Sequence, residues 1–171
     1  SDLANTQKGE FKKKLSPLVT AYRQWIDDKY GFVSAGMKGL AKFEAEAKTT
    51  LSKCEDTLKR IERGIALLDE SGIAADCFRF ANRAMALQRI RTRYSLAVRR
   101  GEECKLEDFD SSKNRCWYPF QLAFILLNLP AMTDLNHEDR AKASDAIADL
   151  LWFPTGGGKT EAYLGIAAYT I

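Results

Sequence analysis

Between residues 40 and 68, apolar side chains recur at steps of three and four residues, and this repeat constrains the fold more than any other feature. The repeating positions are Leu40, Phe43, Ala47, Leu51, Cys54, Leu58, Ile61, Ile65 and Leu68. Such spacing places them on one face of a helix with 3.6 residues per turn. The positions between them carry a mixture of acidic and basic residues, as on a solvated outer face. The segment is therefore predicted to form one long amphipathic helix.

Further helices are predicted on both sides of this one. The first covers residues 10–30, with its main part beginning at Ser16-Pro17. A second long helix is expected over residues 74–100, joined to the central one by a turn at Ser71-Gly72, with Phe80, Leu87 and Val98 on one apolar face. Another helix opens at Pro119 and ends near Pro130. Two long amphipathic helices joined by a short glycine turn form a helical hairpin with coiled-coil-like pairing. The fold class is predicted to be mainly α.

The stretch from Pro154 to Thr160 is rich in glycine and lies between an apolar run, residues 150–153, and an apolar-rich segment that begins at Glu161. A strand, a glycine turn and a helix that opens with Lys-Thr form the arrangement that cradles the phosphates of a nucleotide. Glycine amides can point at phosphate oxygens because glycine has no Cβ and accepts unusual φ angles. We therefore predict a phosphate-binding loop for ATP and Mg²⁺. The alternative is an ordinary glycine-rich turn before a helix.

Each polar group of this loop has a predicted role. The Lys159 ammonium would reach the β- and γ-phosphates, and the Thr160 hydroxyl would ligate Mg²⁺, so these two residues carry the predicted catalytic function. Phe153 stands where the strict G-x-x-x-x-G-K-[ST] pattern has its first glycine, and the loop fits the helicase-type variant instead. The residues predicted to hold the nucleotide phosphates and metal are Thr155, Gly156, Gly157, Gly158, Lys159 and Thr160.

Residues 154–160 resemble motif I of superfamily-two helicases. The longer stretch 148–164, together with residues 78–85 and 117–126, is similar to the helicase of the bacterial DISARM anti-phage system and its relatives. The similarity is good from residue 76 onward and thin before it. It implies an ATP-dependent helicase or translocase that acts on DNA alongside other defence-system proteins. It also implies that residues 150–153, the loop and the following helix begin a RecA-like α/β lobe.

The same resemblance assigns a role to Gln121. Helicases of this superfamily carry an aromatic-rich segment with a glutamine before motif I, and that glutamine reads the adenine edge. By analogy Gln121 would contact adenine, with Phe120 beside the base. Tyr118 replaces the usual arginine of that segment. The alternative is that Gln121 is a residue near a helix N-terminus that contacts no ligand.

Arginines on the second long helix form a possible phosphate-contacting ridge. They fall within about 120° of arc at 100° per residue. Arginine contacts supply the sequence-independent part of nucleic-acid binding. The alternative is a solvated basic face, or ion pairs with the acidic loop over residues 102–110. The four predicted nucleic-acid contacts are Arg79, Arg83, Arg89 and Arg93.

Composition limits the class of protein. Hydrophobic residues make up 46% and charged residues 29% of the chain, as in soluble globular proteins. No apolar run approaches the roughly 18 residues that a membrane helix needs, and no signal peptide is visible. The expected location is the cytoplasm, without membrane contact. The net charge of +3 is too small to indicate nucleic-acid binding by itself.

Two parts are expected: a helical module over residues 1–116 and the incomplete start of a RecA-like P-loop NTPase lobe over residues 117–171. The chain ends eleven residues after Thr160, before the Asp-Glu pair and second-lobe arginines that a helicase motor needs. We expect a piece of a larger ATP-dependent helicase, inactive as an enzyme by itself. Two alternatives stay open: a helical protein-interaction module with an inert loop, and a P-loop NTPase that is not a helicase.

Overall fold

A computed structural model describes residues 3–36, 39, 41–141, 146–152, 154 and 156–171 of the chain. The α-helices in these residues are α1 Phe11–Ser34, α2 Glu44–Glu70, α3 Gly72–Arg99, α4 Pro119–Thr133, α5 Glu138–Ala141 and α6 Lys159–Thr170. Short 3₁₀ helices cover Leu3–Asn5, Ala41–Phe43, Leu106–Phe109 and Ser112–Arg115. The predicted mainly α fold class is confirmed.

Helix α1 passes straight through a proline. It begins at Phe11 and continues to Ser34, with Pro17 inside it. Proline has no N–H to donate to the carbonyl four residues earlier, which belongs to Lys13. The Ser16 hydroxyl donates to that carbonyl at 2.9 Å and replaces the missing bond. The prediction that the main helix begins at Ser16-Pro17 was therefore wrong.

A carboxylate from α2 caps the N-terminus of α1. The local N-cap residue, Glu10, makes no side-chain capping bond. Asp69 instead accepts the backbone N–H groups of Gly9, Phe11 and Lys12 at 2.8, 3.0 and 2.9 Å. A negative charge at this end also complements the helix dipole. The contact joins α1 to the end of α2.

The two longest helices do not pair with each other as a coiled coil. Helix α2 packs mainly against α1 and α4, and α3 packs mainly against α6. Ser71, the single residue between α2 and α3, has an extended backbone with φ −104° and ψ 117°, and its hydroxyl accepts the Ala74 N–H at 3.2 Å. This residue redirects the chain between the two helices. The predicted coiled-coil-like pairing is therefore wrong.

The apolar stripe predicted on α3 faces outward. Phe80, Leu87 and Val98 are 50%, 52% and 49% exposed. The buried face of α3 instead carries small residues among its larger ones, and these allow α6 to pack closely against the helix. Its apolar members are Ala74, Ala75, Phe78, Ala81, Met85, Ile90 and Ala97.

Helices α2 and α4 touch backbone to backbone. A Cβ built on Gly64 would lie 1.9 Å from the Leu126 carbonyl oxygen. That carbonyl lacks its usual helical donor because Pro130, four residues later, has no N–H. Helix α4 nevertheless continues through Pro130 to Thr133, beyond the predicted end. Glycine at position 64 is therefore required by this helix crossing.

One hydrophobic core connects the long helices. Phe11, Leu68, Phe78 and Leu126 are fully buried within it, and Phe11 and Phe78 meet edge to face at 5.7 Å. Tyr169 of α6 closes the same core. The core thus draws residues from both sides of residue 116, and the proposed division into two domains stays a prediction.

The strand predicted before the glycine turn is not observed. Residues 150–152 have no regular secondary structure, and Leu150 and Trp152 are 78% and 86% exposed. A strand needs a neighbour to complete its backbone hydrogen bonds, and the described residues contain no strand. Phe153, the last residue of the predicted strand, lies outside the described residues.

Candidate phosphate-binding site

A tight glycine turn leads from Pro154 into α6. The Gly157 N–H donates to the Pro154 carbonyl oxygen at 3.1 Å. Gly156 and Gly158 have φ angles of 84° and 88°, a region that only glycine enters without strain. Because Gly156, Gly157 and Gly158 have no side chains, the turn itself adds no side-chain atoms beside its backbone groups.

Helix α6 starts immediately after this turn, at Lys159. Its N-cap residue is Gly158, which has no side chain to bond the N–H groups of the first turn. These amides and the helix dipole favour an anion at this end. Thr160 is exposed in the first turn, and the Lys159 ammonium donates to the Pro154 carbonyl oxygen at 3.3 Å. Backbone donors, one ammonium and one hydroxyl suit a phosphate group with its metal ion.

Gln121 connects the turn to α4. Its Nε2 donates to the Gly158 carbonyl oxygen at 2.7 Å, and its Oε1 accepts the Tyr118 N–H at 2.9 Å. The residue is 1% exposed. A Cβ on Gly158 would lie 2.7 Å from Nε2, so this close approach also requires glycine. The adenine contact stays a prediction, and both polar atoms of the amide are already bonded to backbone groups.

A second contact holds Asp149, which precedes the turn in the chain. Arg60 of α2 donates from both Nη atoms to Asp149 at 2.7 Å and from Nε to Asp139 at 3.1 Å. The three side chains are between 11% and 20% exposed. The hydrogen bonds with Asp149 are the main cause that raises the pKa of Arg60. The chain is therefore attached to α2 before the turn and to α4 at the turn.

A cleft of about 710 Å³ lies between α3 and the loop that precedes α4, and it reaches Gln121 and Glu161 at the edge of the turn. Its size falls within the range of small-ligand sites. Asn114 on its wall is 7% exposed, and its Oδ1 has no hydrogen-bond partner among the described residues. The Asn114 amide nitrogen donates to the Phe109 carbonyl oxygen at 2.7 Å. The unsatisfied oxygen leaves one acceptor in the wall of this cleft.

Two of the four predicted nucleic-acid arginines make internal contacts. Arg79 donates to the Thr6 carbonyl oxygen at 2.9 Å and also pairs with Asp76. Arg89 donates to the Cys116 carbonyl oxygen at 2.8 Å, and its guanidinium lies 5.7 Å from the Tyr118 ring centroid. These arginines hold the N-terminal segment and the loop before α4 against α3.

The other two are free in the part of the chain that the structure describes. Arg83 and Arg93 are exposed and make no hydrogen bond or ion pair there. Arg83 and Arg89 line the same cleft as Gln121. Within the described residues, none of the four arginines pairs with the acidic loop over residues 102–110. The predicted nucleic-acid role stays a prediction for all four.

The structure thus brings most of the predicted nucleotide-binding residues to one place. Gly156, Gly157, Gly158, Lys159 and Thr160 form the turn and first helical residues, and Gln121 bonds directly to them. Thr155 lies outside the described residues. Sequence reasoning missed Arg60, Asp149 and Asn114. Arg60 and Asp149 are 89 positions apart, so no local pattern signals their contact.

No protein-family model matches the chain, and no helix within the described ranges is long and apolar enough to cross a membrane. Over 160 residues, which are 92% of this chain, the sequence is 43% identical to the DISARM protein DrmA of Bacillus paralicheniformis (strain ATCC 9945a / NCIMB 11709 / CD-2). The match spans 13% of the length of that relative. The chain is therefore related to one part of a DISARM protein over nearly its whole length.

Proposed function

We propose that residues 154–160 bind the phosphates of ATP and that the chain is part of an ATP-dependent DNA helicase or translocase in DISARM phage defence. One observation carries the proposal. A turn with two left-handed glycines leads directly into an uncapped helix N-terminus that begins with Lys159 and Thr160. The similarity to a DISARM protein supports the role in defence.

Each group of the loop would have its own role in binding the nucleotide. The N–H groups of Gly158 and the start of α6 would donate to phosphate oxygens, and the Gly157 N–H would do so by exchanging its bond with the Pro154 carbonyl. Lys159 would exchange its bond with the Pro154 carbonyl for the more negative β- and γ-phosphates. The Thr160 hydroxyl would hold Mg²⁺. Hydrolysis of bound ATP would supply the free energy for movement along DNA.

The proposed RecA-like lobe would also account for the apolar residues exposed before the turn. Leu150 and Trp152 are 78% and 86% exposed. If residues 150–153 are the first strand of a parallel sheet, neighbouring strands and helices would cover both faces of that strand. The exposed pair is what such a strand presents when its neighbours are not packed against it.

Free arginines on α3 are the groups best placed to contact DNA. Arg83 and Arg93 lie exposed and unpaired among the described residues, whereas Arg79 and Arg89 are engaged internally. If α3 follows a phosphate backbone, replacing Arg83 and Arg93 by alanine should weaken DNA binding for all sequences. Each lost phosphate contact should lower the salt-dependence slope by about 1.

The direct test is ATP hydrolysis by the complete protein, with and without DNA. DNA-stimulated hydrolysis that is lost in Lys159→Ala and retained in Lys53→Ala is the expected result. Lys53 suits the control because it is an exposed lysine on α2. Hydrolysis that DNA does not change would favour a P-loop NTPase of another kind. Equal hydrolysis by wild type and Lys159→Ala would contradict the proposal.

A helical protein-interaction module is the second candidate, and the outer face of α1 favours it. Trp25 and Phe32 are 45% and 50% exposed, with the Lys29 ammonium 5.6 and 5.2 Å from their ring centroids. Exposed aromatic residues beside a cation are common at protein interfaces. Two results together would favour this candidate. Wild type would bind a partner protein without hydrolysing ATP, and Trp25→Ala would lose that partner binding.

A further inference from the structure

The contact between Arg60 and Asp149 restricts the relative orientation of the two side chains as well as the distance between them. Its guanidinium forms two parallel bonds to the Asp149 carboxylate at 2.7 Å, the bidentate geometry that restricts orientation. A third bond, from Nε to Asp139 at 3.1 Å, occupies the other edge of the group. The Ile147 N–H donates to the Asp139 carbonyl oxygen at 2.8 Å and so joins residue 147 to α5. Asp149 is thereby held in one place.

The platform that carries Arg60 is itself rigid. Ile61 and Ile65 on the same helix are 3% and 4% exposed. Gly64, one turn after Arg60, lies against the Leu126 backbone. Helix α4, which contains Leu126, also carries Gln121 and its bond to Gly158. The segment before the glycine turn and the turn itself are therefore attached to two helices that are locked to each other.

A neighbouring ion pair on the same helix lacks these properties. Arg63 bonds Glu138 through one nitrogen at 2.7 Å, and the two side chains are 57% and 70% exposed. Exposed single-bond pairs contribute little to structure. The Arg60 side chain is 16% exposed and makes three bonds. Arg63 is thus a matched comparison for Arg60.

We infer that Arg60 is a positioning residue for the phosphate loop: by fixing Asp149 it holds the approach to the glycine turn and so sets the affinity of the loop for ATP. This inference rests on the proposed function. A loop that is not held must be ordered when the ligand binds, and its apparent dissociation constant rises as the binding-competent fraction falls. In this way α2 supports the loop.

The test compares Arg60→Ala, Arg60→Lys, Asp149→Asn and the control Arg63→Ala in the complete protein. Mg-ATP affinity is measured with a fluorescent analogue, and amide hydrogen exchange is measured in parallel over residues 156–164 and over α1. If Arg60→Ala reduces the binding-competent fraction to a tenth, the dissociation constant rises by about tenfold. Arg60→Lys keeps the charge but not the bidentate bond, so it should fall between wild type and Arg60→Ala. Arg63→Ala should match wild type.

Hydrogen exchange separates positioning from general loss of stability. We expect faster exchange over residues 156–164 in Arg60→Ala and Asp149→Asn, with α1 unchanged. Equally faster exchange in both regions would mean a merely structural role and would overturn the inference. Unchanged affinity and exchange in both variants would overturn it as well. If wild type binds no Mg-ATP, the proposed function is wrong, whatever the result for Arg60. The positioning role of Arg60 would then be tested by hydrogen exchange alone, and unchanged exchange over residues 156–164 in Arg60→Ala would refute it.

Discussion

The amide nitrogen of Gln121 donates a hydrogen bond to the Gly158 carbonyl oxygen at 2.7 Å, and this bond joins the first turn of α4 to the N-cap of α6. The same side chain accepts the Tyr118 N–H through its Oε1 at 2.9 Å. One buried amide therefore satisfies two backbone groups that belong to different helix ends. The position of the candidate phosphate loop depends directly on α4.

Replacing Gln121 by alanine should destabilise the fold. The change leaves the partly buried Gly158 carbonyl and the Tyr118 N–H without their partner, which costs about 1 kcal/mol. Chemical denaturation measures the loss. Gln24→Ala is the control, since the Gln24 side chain bonds Asp28 on an exposed helix face and has no other hydrogen bond within the described residues. Equal unfolding free energies for Gln121→Ala and wild type would contradict the role assigned to this amide.

A glycine-to-alanine change should have opposite effects in two helices. At Gly64 the new methyl group would lie 1.9 Å from the Leu126 carbonyl oxygen, and forcing α2 and α4 apart should cost about 3 kcal/mol or more. At Gly31 in α1, no atom of the described residues outside the helix's own nearby backbone lies within 4 Å of the new methyl group. Alanine there should stabilise the helix by about 0.5–1 kcal/mol. Thermal unfolding of both variants checks the signs, and a stable Gly64→Ala would refute the backbone contact.

Local patterns predicted the helices but not their partners. At the start of the predicted repeat, Leu40 lies outside the described residues, and Phe43 lies in a 3₁₀ helix before α2 and is 52% exposed. The rest of the repeat correctly predicted the buried face of α2, from Leu51 to Leu68. It did not show that this face packs against α1 and α4, since many helix surfaces could cover the same stripe. On α3 the larger residues Phe80 and Leu87 face outward, because close packing by α6 favours the face with alanines. A glycine inside the buried stripe, Gly64, was the one local sign of a close crossing.

Removing the Asp69 carboxylate should detach the start of α1. Asp69 accepts three backbone N–H groups at or just before the first turn of that helix. Loss of a charged cap with this many bonds should cost about 2 kcal/mol. Glu70→Ala is the control, because Glu70 is the exposed neighbouring residue on α2. Equal free energies of unfolding for Asp69→Ala and Glu70→Ala would contradict the capping role of Asp69.

Alkaline pH should destabilise the pairing of α1 with α2 through Tyr22. Burial, followed by a hydrogen bond with Cys54, raises the pKa of Tyr22 from 10.0 to about 12. Because the folded value exceeds the unfolded one, the contribution of Tyr22 is fully present below pH 10 and is lost as the pH rises towards 12. Tyr22→Phe should therefore lose less stability over this interval than wild type. Parallel curves of unfolding free energy against pH would contradict the expectation.

The candidate site could be predicted from sequence only where its parts are contiguous. Glycine spacing and the following Lys159-Thr160 indicated the turn and the helix start, because φ preferences act locally. The apolar run before the turn did not form a strand, since a strand depends on neighbours elsewhere in the chain. The Arg60–Asp149 contact spans 89 positions and joins α2 to the segment after α5, so tertiary packing and not a local pattern brings its members together.

The most direct test of the account is a titration of the complete protein with a fluorescent ATP analogue and Mg²⁺, alongside Lys159→Ala and Lys53→Ala. Fluorescence anisotropy reports binding, and Lys53 supplies a matched loss of one exposed lysine on α2. The account predicts saturable binding by wild type and Lys53→Ala that disappears in Lys159→Ala. Binding of equal strength in Lys159→Ala, or none in wild type, would contradict an assembled phosphate site at this turn.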